Sequence, residues 1–120
     1  MRDFHKLKVW ERAHNLTLTI HETTKEFPKE ELYGLTSHMR RAVASMPTNI
    51  AEGCGRESKA ETIQFFNMAT GSSSELEYQL IQTRDLHYLD GESYSALISE
   101  LTDVKRMLYS YIQRLQTDIS

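Results

Sequence analysis

Leu97, Leu101, Val104, Leu108, Tyr111 and Leu115 recur at steps of 4, 3, 4, 3 and 4, and this spacing restricts the fold more than any other feature. At 3.6 residues per turn these side chains return to one side of a helix, whereas a strand would scatter them over both faces. The heptad predicts a helix over about Glu92–Gln116, entered through the turn signal Asp90-Gly91. Val9, Ala13, Leu16 and Ile20, supported by Leu7 and Trp10, predict a first helix over about 6–25, ended because Pro28 disfavours helical backbone at Phe27. Leu32, Leu35, Met39, Val43, Met46 and Ile50 predict a second over about Lys29–Gly53. Pro47 lies inside it, and a proline there removes a backbone hydrogen bond and crowds the preceding turn, so a bend is expected near Val43. Gly53-Cys54-Gly55 is expected to form a flexible exit.

Phe65, Ala69, Ser72, Leu76, Thr83 and Leu86, with Phe66 and Leu80 alongside, predict a third helix over about Lys59–Tyr88. Its middle, Ala69-Thr70-Gly71-Ser72-Ser73-Ser74, has the composition of a linker, since glycine and serine both weaken helical backbone. The apolar period stays in phase across it. One continuous helix is therefore expected, with small residues that let a neighbouring helix come close.

Short connections make successive helices antiparallel neighbours. The expected fold is all-α, an up-down-up-down antiparallel four-helix bundle with residues 1–120 as one domain. Two prolines, five glycines and no alternating Val/Ile/Thr run argue against a sandwich or barrel. Cys54 is the single cysteine, which excludes an internal disulfide framework, a zinc ribbon and a redox CxxC motif, and fits a reducing cytoplasm. Residues 1–6 lack the apolar core of a signal peptide, and no window approaches the roughly 18 apolar residues of a membrane span. A cytoplasmic protein, neither exported nor membrane-spanning, is expected.

The net charge of −3 argues weakly against a protein that coats nucleic acid with positive charge. Its distribution is uneven. Residues 1–14 and 38–59 each carry a positive excess, whereas 75–103 hold Glu75, Glu77, Asp85, Asp90, Glu92, Glu100 and Asp103 against Arg84 alone. One end of the molecule is expected to be acidic.

On the second helix His38, Arg41, Ser45, Asn49, Glu52 and Arg56 form a polar stripe roughly opposite the apolar one. Such a stripe either faces water or, with small residues such as Ala42, Ala44 and Ser45 beside it, meets another surface. His38, Arg41, Ser45, Asn49 and Glu52 are the candidate oligomer interface. Arg40, Arg41, Arg56 and Lys59 are the candidate nucleic-acid contacts, because guanidinium presents a planar fork of donors matched to phosphate oxygens. Salt bridges to Glu52 or Glu75 are the plainer alternative.

No motif marks a reaction, and no catalytic residue or cofactor is assigned. A bundle di-metal site needs two Glu-x-x-His motifs, and only Glu11-Arg12-Ala13-His14 has that spacing, so no metal is expected. His38 followed by Arg41 and Ala42 partly matches histidine phosphotransfer domains but lacks their Lys-Gly pair. Cys54 reads as a small helix-terminal residue rather than a reactive thiol, and Ser72, Ser73 and Ser74 lie in no nucleophile motif.

Nearly the whole chain resembles the bacterial 23S rRNA intervening-sequence (S23-type) four-helix-bundle family. The likeness is carried by Leu7-Lys8-Val9-Trp10, Phe27-Pro28, Tyr33-Gly34-Leu35, the run from Arg40-Arg41-Ala42 to Asn49-Ile50-Ala51-Glu52-Gly53-Cys54-Gly55-Arg56, and Ala69-Thr70-Gly71-Ser72-Ser73-Ser74-Glu75-Leu76. The resemblance implies an up-and-down bundle assembling as a ring-shaped homopentamer without enzymatic activity. It extends to accessory proteins of diversity-generating retroelements, in which a basic bundle binds nucleic acid and the reverse transcriptase. The negative charge of this chain departs from those basic relatives. The sequence thus points to a self-associating, non-catalytic scaffold that engages RNA. Its rivals are a protein–protein interaction module using the acidic 75–103 region and, less directly, phosphotransfer at His38.

Overall fold

The computed structural model describes residues 2–119. Four helices, α1 (Lys8–Thr24), α2 (Leu35–Cys54), α3 (Lys59–Asp85) and α4 (Gly91–Ile119), follow one another with short 3-10 turns at Phe4–Lys6 and Lys29–Glu31. Each packs on its chain neighbours and α4 closes onto α1, giving an all-α antiparallel four-helix bundle measuring 47 × 23 × 20 Å. At one end the α1–α2 and α3–α4 connections meet, where the Tyr88 hydroxyl donates to Glu31 at 2.8 Å and the Phe27 ring lies against Tyr88. At the other end the Arg2 N–H donates to the Cys54 carbonyl at 3.0 Å.

The core follows the stripes closely in α1 and α4: Val9, Ala13, Leu16 and Ile20 are buried, as are Leu97, Leu101, Val104, Leu108 and Leu115. Ile112 is buried and Tyr111 half-buried. In α2 the buried face runs from Leu35 to Ile50, but Leu32 is 46% exposed because α2 begins only at Leu35. In α3 the buried frame is Thr62, Phe66, Ala69, Ser73, Leu76, Leu80 and Thr83. The stripe through Phe65 and Ser72 lies one position over, half-buried toward α2.

The third helix is continuous through Ala69–Ser74, as its unbroken apolar period requires. It stops at Asp85 rather than Tyr88 because His87 takes a left-handed conformation, φ 63°. The Tyr88 N–H then reaches back to the Thr83 carbonyl at 2.9 Å and the His87 N–H to Arg84 at 3.0 Å, the hydrogen-bond pattern of a Schellman cap. This cap leaves Leu86 50% exposed. Asp90 opens α4 by accepting the Ser93 N–H at 2.7 Å, a bond that holds its carboxyl below the ordinary carboxylate range.

Pro47 sits buried inside an uninterrupted α2. With no N–H at Pro47, the Val43 carbonyl one turn earlier lacks its helical donor. The Thr17 hydroxyl of α1 lies 3.2 Å from that carbonyl and 2.9 Å from its own Ala13 carbonyl, so α1 answers the acceptor that the proline leaves open.

The glycines act differently from their sequence context. Gly53 belongs to α2 and is buried; a Cβ there would meet Phe66 Cδ1 at 2.9 Å and Phe65 Cβ at 3.1 Å. It permits close contact between α2 and α3 rather than a flexible exit. Gly71 faces outward, with nothing within 4 Å of a Cβ, and the close approach in mid-α3 is made by fully buried Ala69 and Ser73.

Candidate functional site

The polar stripe of α2 divides into two parts. Its centre is tied to α3: Asn49 Nδ2 donates to the Ser45 carbonyl at 2.8 Å and to Ser45 Oγ at 2.9 Å. Ser45 Oγ is 2.8 Å from Ser72 Oγ, which is 3.2 Å from the Met68 carbonyl. Since Asn49 donates to Ser45, the consistent direction is Ser45 to Ser72 to Met68, a hydroxyl relay along the seam. His38, Arg41 and Glu52 remain exposed.

His38, Arg41, Ala42 and Ser45 of α2 face Ser72 and Glu75 of α3 across a groove of about 380 Å³. Among the described residues neither His38 nor Arg41 has a side-chain hydrogen bond or ion pair. Glu75 takes only a 3.5 Å contact from Gln79 Nε2. The groove therefore carries charges of both signs that are not engaged with each other.

The four candidate nucleic-acid cations are not gathered into one patch. Arg40 turns back on α1, its Nε 2.8 Å from Thr24 Oγ1 and its Nη2 3.3 Å from the His21 carbonyl, where a cation suits the carbonyl end of that helix. Arg56 lies over the Phe65 ring at 4.6 Å and 3.9 Å from Glu52. Lys59 pairs with Asp118 at 3.2 Å. Arg41 and Arg56 lie toward opposite ends of α2, on the order of 20 Å apart at 1.5 Å per residue. Of the four, Arg41 alone is exposed and unengaged.

The acidic tract is partly neutralised across helices. Arg12 of α1 bridges Glu100 at 3.1 Å and Asp103 at 2.9 Å on α4, and Lys105 pairs with Glu77 of α3. Glu30, Asp90 and Glu92, at the two connections, are exposed, and so is Tyr33 at 91%.

Among the described residues no group of three or more His, Cys, Asp or Glu could hold a metal ion. His14 of the Glu11–His14 spacing instead stacks on Trp10, centroids 5.1 Å apart. Cys54 is fully buried, and that burial pushes its thiol pKa up, away from a reactive thiolate. No helix among the described residues is long and apolar enough to cross a membrane.

The sequence profile of the 23S rRNA-intervening sequence proteins matches residues 5–110. The chain belongs to that family. Its backbone is also similar to a crystal structure of a protein of unknown function from the S23 ribosomal protein family of Bacteroides thetaiotaomicron VPI-5482, with a TM-score of 0.82 over 88% of this chain and 95% of that one, at 24% identity. No curated protein matches. Within the matched residues, α2 and α3 meet closely at Gly53 against Phe66 and at Ser45 against Ser72.

What the linear pattern does not reveal is which cations are already engaged. Arg12, Lys25, Arg56, Lys59, Arg84 and Lys105 pair with carboxylates, several of them far apart in sequence. Lys6, Lys8, Arg106 and Arg114 do not among the described residues, and they converge on one seam that sequence order hides.

Proposed function

We propose that this chain is a non-catalytic scaffold that assembles with copies of itself, as a pentamer, and engages RNA. The observation that carries the assembly is the α2–α3 groove, in which exposed Arg41 and Glu75 share one concavity without pairing. Opposite charges left open on one rigid face suit a second copy that supplies the complement of each. The hydroxyl relay through Ser45 and Ser72 fixes the groove floor, so little ordering cost remains for association. His38 and Glu52 extend the contact along α2.

The RNA part follows the family description, the guanidinium chemistry of Arg40, Arg41 and Arg56, and the ammonium charge of Lys59. Arg41 is open to phosphate, and the exposed pairs at Arg56 and Lys59 are weak enough to exchange a carboxylate for one. A cytoplasmic location fits the lone Cys54.

Light scattering with and without a fluorescent rRNA fragment tests both parts. Assembly predicts a mass near five chains, its loss in Arg41→Glu, and its recovery in the exchange Arg41→Glu/Glu75→Arg. A monomer that persists at high concentration sinks the scaffold.

A second possibility is a protein partner docking at the acidic connection end, favoured by exposed Tyr33 and Leu32 beside Glu30. Capture of the same partner before and after nuclease treatment would favour it over RNA. Phosphotransfer at His38 would require an acid-labile label that disappears in His38→Gln.

A further inference from the structure

We infer that the groove between the start of α1 and the second half of α4 is a track for single-stranded RNA. This rests on the RNA part of the proposed function but moves the contact to the opposite side of the bundle from Arg41. The groove has a volume of about 480 Å³ and a rim of Lys6, Lys8, Arg106 and Arg114, with no carboxylate in its lining. Among the described residues none of these four makes an ion pair with a carboxylate. Of the nearby acids, Asp3 is engaged with His5 at 2.7 Å, Glu100 and Asp103 with Arg12, and Asp118 with Lys59, while Glu11 in the first turn of α1 lies outside the groove lining.

Tyr111 holds one of the four rim cations in place. Arg114 lies over its ring at 5.0 Å and Arg2 at 5.6 Å, while the ring also packs on core Phe66. A guanidinium held on an aromatic face loses less freedom when it meets phosphate. From Arg106 to Arg114 the rim covers about 12 Å of helix, enough for more than one phosphate.

The floor selects the strand. Leu7, Val9, Met107 and Tyr111 supply apolar surface beneath the cationic rim. A single strand offers a charged backbone together with exposed base faces, whereas a duplex hides its bases and an acidic peptide lacks them. The sequence signal was the positive excess of residues 1–14, which acquires meaning only when α4 brings Arg106 and Arg114 beside it.

The test is fluorescence anisotropy of the intact protein with a labelled single-stranded RNA of mixed sequence. With four phosphate contacts the slope of log affinity against log salt is expected near −3, and Lys8→Glu/Arg106→Glu should lower affinity at least about tenfold and flatten that slope. Lys6→Gln/Arg114→Gln should do the same more mildly, and circular dichroism should show unchanged helix content in both pairs. Lys29→Glu, exposed at the opposite end of the bundle, should stay within about threefold of the unmodified protein. Binding that survives both groove pairs, or a preference for duplex, overturns the track. If Arg41→Glu/Arg56→Glu alone abolishes binding, RNA engagement stands and the groove falls. If the unmodified protein shows no salt-sensitive binding, both fall.

Discussion

The seam between α2 and α3 and the seam between α1 and α4 are closed by different chemistry. The first is tight: Gly53 admits the Phe66 ring, Ala69 and Ser73 are fully buried, and a hydroxyl relay joins the helices. The second is joined at mid-height by Arg12 reaching across to Glu100 and Asp103, and below that bridge it opens into the basic groove. Close packing and the serine relay close the floor of this seam, so its long charged side chains, Arg41 and Glu75, stand at the rim and carry opposite signs. Loose packing lets lysine and arginine line the gap itself. The comparison teaches that a bundle can keep two different surfaces without changing its architecture, by setting how closely each helix pair approaches.

Widening the tight seam should have the largest effect. Gly53→Val forces Phe66 and the backbone apart, an overpacking expected to cost about 3 kcal/mol, measured by urea unfolding. A loss below about 1 kcal/mol would mean that this seam is as yielding as the other. Thr17→Val should come next: it leaves the Val43 carbonyl without a donor, at a cost of about 1–2 kcal/mol. Hydrogen exchange should then show weakened protection around Pro47.

Arg12→Met at the open seam should cost under about 1 kcal/mol, because the pair is partly exposed and solvent-screened. High salt should erase most of the difference. A loss as large as that of Gly53→Val would overturn the contrast between the seams. The smallest effect is a gain. Gly71→Ala adds a methyl into open space and improves helix propensity, raising stability by about 0.5–1 kcal/mol in thermal unfolding. If the same change lowers the assembled mass, the outer face of α3 is part of the contact between copies.

The helices were legible from sequence wherever periodicity and burial coincide. The α4 heptad gave the core of that helix except for the exchange of Tyr111 with Ile112, and the phase of Ala69, Leu76 and Thr83 was enough to carry α3 through its serines. The two misplacements have local causes. Leu32 and Leu86 keep the apolar period but fall outside helices whose limits are set by backbone geometry, late entry at Leu35 and the left-handed His87. The shift of one position in α3 arose because Ala69, Leu76 and Thr83 fit both frames, and only contact with Gly53 selects Phe66 over Phe65. The site was less legible, because periodicity locates a face but not its partners. Arg40 and Arg41 are adjacent in sequence, yet one caps α1 and the other stands open.

The lone sulfhydryl of Cys54 is fully buried at the end of α2, the corner where the Arg2 N–H fastens the chain to the Cys54 carbonyl. An alkylating reagent can reach it only when that corner lifts. Its rate of modification is thus a clock for local breathing, built into the chain at the boundary between the tight seam and the loose one. Anything that fastens the amino terminus, whether a bound strand or a neighbouring subunit, would slow that clock without touching sulfur.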